Sequence, residues 1–178
     1  MAADDRPIFP GLSDHPAGIG AVIRDRAGKY SMLMTFAQEI LREDSHLPAT
    51  DRELIAAFTS DLNGCRYCHG SHAAFAGSLG ASADDLEMAE SGDPTGHRLE
   101  PLLAYVKKLT LAPSEIAESD RRAVIAAGFT DDELKDAIAV CAAFNLFNRL
   151  VEGHGIAPRD NYDSDVAVIN AHGYDRRR

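Results

Sequence analysis

Cys65, Cys68 and His72 follow one another at spacings of three and four residues, and Glu53 stands twelve positions before the first cysteine. If residues 65–72 are helical, an advance of about 100° per residue puts the two thiols and the imidazole within roughly 60° of one another on one face. Alpha carbons three apart on a helix lie about 5 Å from each other, inside the window of about 4.4–6.8 Å that a disulfide tolerates. The pair can therefore form a disulfide without unfolding its helix. A free thiol near pKa 8.5 is mostly protonated at neutral pH, so redox use of the site requires something that favours the thiolate. The positive end of a helix N-terminus, the Arg66 charge and the His72 imidazole are the candidates. Glu53 is a further candidate: if its helix folds back on the cysteine helix, a carboxylate there can orient or recharge the imidazole.

Other readings of the same residues exist. Glu53 is also placed as the third residue of a capping box opened by Thr50. The cysteines can be read as small buried apolar side chains. Cys65, Cys68, His69 and His72 include the ligand types of a zinc site, but four ligands within eight residues of one helix cannot converge on a single ion. Cys141, among Ala139, Val140, Ala142 and Ala143, reads as core.

The elements that must hold these residues are helices throughout. Apolar residues recur at three- and four-residue steps over about 29–43. A helix over about 50–61 opens at the Thr50–Glu53 box, and Asn63-Gly64 turns the chain into the cysteine helix, which Gly80 closes after Leu79. Shorter helices are predicted at about 83–90 from the cap Ser82, at 98–110, and at 114–127 from Ser114. A second box, Thr130 to Glu133, opens a long helix to about Glu152. The Thr-Asp-x-Glu-Leu string shared by 50–54 and 130–134 hints at a repeat. Asn145, Asn148 and Arg149 share a face that can line a pocket or can cap and bridge helices or subunits, the structural reading being preferred, and Met32, Met34 and Phe36 suit a core or subunit interface rather than a ligand pocket. His15, His46, His97, His154 and His172 read as surface or loop residues.

The 178 residues, 45% hydrophobic and 26% charged, correspond to one domain with a core. An extended arm over 1–16, a helical domain over 17–157 and a C-terminal extension over 158–178, with a disordered Arg176-Arg177-Arg178 end, are the expected divisions. Eighteen basic against 28 acidic side chains, a net charge of −10, argue against nucleic acid. No stretch approaches the roughly 20 apolar residues of a membrane span, and the acidic start lacks a secretory pattern, so the expected compartment is the cytosol.

Glu53, Cys65, Cys68 and His72 match the pattern Glu-x11-Cys-x2-Cys-x3-His of the alkylhydroperoxidase AhpD core, and the chain resembles that family within the carboxymuconolactone decarboxylase-like superfamily. Arg-Glu-Leu-Ile at 52–55 and Phe-Asn-x-x-Asn-Arg-Leu at 144–150 are similar to its peroxidase-related branch, and the likeness extends over about residues 15–157. The resemblance implies an all-α, AhpD-like bundle of about eight helices that assembles as dimers, trimers or hexamers. It implies reduction of a hydroperoxide at Cys68 through a sulfenic acid, with Cys65 as the resolving thiol, Glu53 and His72 relaying protons, and no cofactor or metal. A thiol reductant is implied as partner, a lipoyl-bearing adaptor in the founding members, although no signature in this chain identifies it. Tyr67 stands where the best-known members carry a second histidine, which implies a shorter relay. Two alternatives come from other classes: a lactone decarboxylase of the same superfamily, whose members generally lack the cysteine pair, and a non-enzymatic redox-sensing or metal-binding module.

Overall fold

The computed structural model describes residues 8–9, 11–12 and 17–175. Most of the expected arm, His15 included, and the Arg176-Arg177-Arg178 end lie outside the described residues. Where the arm is described, Phe9 packs its ring 5.5 Å from that of His154.

Among the described residues there are nine α-helices, one short 3-10 turn at Pro113–Glu115, and no strand. The helices are α1 (Ile19–Asp25), α2 (Ala27–Leu41), α3 (Ala49–Leu62), α4 (Arg66–Ser78), α5 (Ala83–Ser91), α6 (Glu100–Leu111), α7 (Glu118–Ala126), α8 (Asp131–Gly153) and α9 (Asp163–His172). None is long and apolar enough to cross a membrane.

The middle of the bundle is α3. Residues 51–60 are all buried, and the helix packs against α4, α6 and α8. A helix apolar on most sides has to be enclosed by others. Leu54, Ile55 and Phe58 meet Leu102, Leu103 and Val106 of α6 and Val140 and Phe144 of α8 in one core. Each such side chain contributes about 1.5–3 kcal/mol through the water it no longer touches. Cys141 lies in that core, fully buried beside Thr110, as expected of a packing residue.

Local chemistry sets the helix ends. Thr130 accepts from the Glu133 amide while the Glu133 carboxylate accepts from Thr130, a complete capping box, and Ser82 and Asp85 form another. The box expected at Thr50 does not form. Pro48 precedes that helix, Thr50 donates to the Leu79 carbonyl, and the Glu53 carboxylate points into the interior instead. One orphan amide at a helix start is a weaker attraction than the cationic partners Glu53 finds there. The expected start at Ser114 is also displaced: a 3-10 turn covers 113–115 and α7 begins at Glu118.

Two helices, α1 and α9, were not expected. The first has only seven residues, and the second buries no residue fully, so neither prints a clear apolar stripe. His97 departs from its expected surface role. Its Nδ1 accepts from the Leu99 amide, and its Nε2 donates to Asp85 at 3.0 Å, with the side chain only 7% exposed. Arg98 beside it joins Asp85 of α5 to Asp51 of α3.

Candidate functional site

The turn that presents the cysteines is built by α3, Gly64 and α8. Gly64 adopts φ +70, a left-handed conformation that glycine takes without strain. The Cys65 amide donates to the Ser60 carbonyl, closing the α3–α4 hairpin. From α8, Asn148 donates to Ser60 Oγ at 2.9 Å and accepts from Asn63 at 2.9 Å, so the Asn145–Asn148 face bridges helices. Cys65 is consequently the residue just before α4, and Cys68 lies in its first turn.

The two thiols have different surroundings. Cys68 borders a largely apolar cavity of about 480 Å³, whose wall also includes Tyr67, His72, Phe144, Phe147 and Tyr174. Cys65 is fully buried and is not part of that wall. Its thiol is pushed well above the ordinary value, first by its hydrogen bond to Cys68 and then by burial. A thiol so placed keeps its proton and offers it to the Cys68 sulfur. Arg66, expected to assist, is exposed and does not line the cavity, and His69 turns to the Ala57 carbonyl.

His72 and Glu53 do meet, as the folded hairpin requires. The ring Nδ1 lies 2.5 Å from Glu53 Oε2. An ionised carboxylate has no hydrogen to give, so the proton between them belongs to Nδ1. Three rings surround the imidazole: Phe144 at 4.4 Å and Phe75 at 5.2 Å edge-on, and Tyr174 at 6.3 Å nearly parallel. Glu53 itself is wholly buried. Burial pushes its carboxyl up, but His72, Arg42 and Tyr174 together outweigh that and hold it below its ordinary value.

Arg42 and Tyr174 were not among the expected site residues. Arg42 Nη1 pairs with Glu53 Oε1, and the Tyr174 hydroxyl donates to the same oxygen at 2.8 Å. No periodicity or motif marks either: Arg42 is the residue after α2, and Tyr174 lies 121 positions from its partner. Tyr67, in the place of the second histidine, packs edge-on to Tyr162 at 5.8 Å and beneath Arg159. Burial raises its phenol well above the ordinary value, so it holds its proton at neutral pH.

Among the described residues, no cluster of three or more His, Cys, Asp or Glu side chains is arranged to hold a metal ion. Residues 30–93, which contain Glu53, Cys65, Cys68 and His72, match the model of the carboxymuconolactone decarboxylase family. Two solved structures are similar. An uncharacterized peroxidase-related protein from Silicibacter sp. TM1040 shares 26% identity with a TM-score of 0.71, over 80% of this chain and 76% of that one. An uncharacterized peroxidase-related protein from Ralstonia eutropha JMP134, described as an alkylhydroperoxidase AhpD core, shares the fold at 23% identity and a TM-score of 0.74, over 85% and 79% of the two chains. No curated protein matches the sequence.

Proposed function

We propose that the chain, whose residues 30–93 match the carboxymuconolactone decarboxylase family model and whose helical fold is AhpD-like, is a thiol peroxidase reducing organic hydroperoxides at Cys68. The observation that carries this reading is the asymmetry of the pair: Cys68 opens onto the cavity beside His72, with the protonated Cys65 thiol hydrogen-bonded behind it. That is the order a peroxidatic and a resolving cysteine need. A lactone decarboxylase has no use for a thiol at the cavity wall with a second thiol buried behind it.

His72 takes the Cys68 proton, and the thiolate attacks the terminal peroxide oxygen. The O–O bond breaks, giving a Cys68 sulfenic acid and an alkoxide that leaves as the alcohol with the Cys65 proton. The Cys65 thiolate then attacks the sulfenic sulfur, forming the disulfide, and the expelled hydroxide takes the proton from His72 to become water. Two electrons pass from the dithiol to the peroxide. An external dithiol returns them by thiol–disulfide exchange. A homo-oligomer is the proposed assembly.

The test is titration of the reduced, metal-free protein with cumene hydroperoxide, followed by intact mass. Wild type should lose the mass of two hydrogens, Cys65→Ser should accumulate the sulfenic acid, and Cys68→Ser should not react. Thiols left intact in wild type would overturn the proposal and favour a structural or sensing role for the pair.

A further inference from the structure

Glu53 has three donors on its two oxygens, and they come from three different parts of the chain. His72 of α4 occupies Oε2, while Arg42 and Tyr174 share Oε1. Tyr174 reaches this point through a strap of three residues docked on α2. Its amide donates to Gln38 Oε1 at 2.8 Å, and Thr35 donates to Asp175 at 2.5 Å. Gly173 adopts φ +67, and a Cβ there would lie 2.4 Å from Gln38 Oε1, so the strap needs glycine at that corner. The Arg42 guanidinium also lies over the Tyr174 ring, 5.0 Å from its centre. The tyrosine lies outside the segment that matches the family model.

A carboxylate takes up a proton readily when it is buried among apolar groups or its oxygens face lone pairs. Here Oε1 faces a cation and a hydroxyl hydrogen, both of which favour the charged form. The remaining cation near Glu53, Arg52 on its own helix, acts in the same sense while donating to the carbonyls of Ile40 and Glu43. From α8, the Phe144 ring lies 4.4 Å from the His72 imidazole, and Asp136 is the charged group that acts on Arg52.

We propose that Tyr174, together with Arg42, is a positioning residue that holds Glu53 as a fixed anion, so that Glu53 orients His72 rather than carrying its proton. The Nδ1 proton stays in place, and the opposite ring nitrogen, Nε2, is left as the base for Cys68. This deepens the peroxidase reading and rests on it for the identity of that proton, but not for the state of Glu53.

The experiment uses full-length protein with 13C-carboxyl glutamate, the Glu53 resonance being assigned by its loss in Glu53→Gln. Its titration is compared in wild type, Tyr174→Phe, Arg42→Gln and Arg42→Lys, beside kcat/KM for cumene hydroperoxide against pH with a chemical dithiol. Tyr174→Phe keeps the ring and loses one donor, so the Glu53 midpoint should rise by about half to one pH unit. The acid limb of kcat/KM should move up by the same amount, with the high-pH plateau kept. Arg42→Gln should raise the midpoint further, and Arg42→Lys should recover more than half of that rise. A Glu53 midpoint unmoved in both Tyr174→Phe and Arg42→Gln, or a lost plateau with the acid limb in place, would overturn the inference and leave Tyr174 a packing residue. So would a wild-type Glu53 that titrates at or above the ordinary carboxylate range. If Glu53 shifts as expected but wild type consumes no peroxide, the positioning role stands and the peroxidase reading falls.

Discussion

The Cys65 thiol is hydrogen-bonded to Cys68, yet only Cys68 reaches the cavity. Three positions at the start of α4 thus separate a sulfur that borders the cavity from one enclosed by protein. The first expectation follows from this difference. With iodoacetamide at pH 7, Cys68 in a Cys65→Ser variant should alkylate at least about tenfold faster than Cys65 in a Cys68→Ser variant, because the thiolate is the reacting form and burial withholds it. Equal rates would contradict the assigned roles.

Glu53 makes stability depend on pH in a definite direction. Its carboxyl is lowered from the ordinary 4.5 in the folded protein. The stabilisation it contributes is therefore fully present above the unfolded value and disappears as pH falls through the folded one. Glu53→Gln should cost about 3–5 kcal/mol at pH 7, since Arg42 is left without its buried counterion. Below about pH 4.5, where the unfolded chain binds the proton first, urea midpoints of wild type should fall more steeply than those of the variant. Parallel slopes would show that the pair does not titrate with folding.

Asn148 is almost wholly buried and ties α8 to the turn that carries Cys65. Asn148→Ala should lower stability by about 1–3 kcal/mol, the cost of leaving buried polar groups short of partners. It should also slow closure of the Cys65–Cys68 disulfide, measured by rapid-quench mass analysis after one equivalent of peroxide. Unchanged closure would mean that the hairpin is held without this bridge.

Gly70 sits on α4 where Tyr162, just before α9, packs against it. A Cβ there would lie 2.7 Å from the Tyr162 ring. Alanine favours a helix over glycine by about 1 kcal/mol, so thermal melting of Gly70→Ala separates the two effects. A lower Tm would show that the docking of the segment after residue 157 contributes to stability. A higher one would show that Tyr162 yields freely.

The nearness of Glu53, Cys65, Cys68 and His72 was legible in the sequence because its information is local. Cys65, Cys68 and His72 lie within two turns of one helix, so spacing alone places them on one face, and Asn63-Gly64 announces the hairpin that brings Glu53 back. The capping boxes at Ser82 and Thr130 were legible for the same reason, as were the apolar stripes of most helices. The identical string at Thr50 shows the limit of such reading. Thr50 and Glu53 have the spacing of a box, but the carboxylate turns inward to Arg42, His72 and Tyr174, because buried charges find their partners across the fold rather than along the chain. Which thiol faces the cavity, that Arg42 and Tyr174 complete the site, and that His97 is tied to Asp85 depend on how α2, α4 and the C-terminal strap pack around α3. Those contacts join residues far apart in sequence, and no periodicity within one helix encodes them.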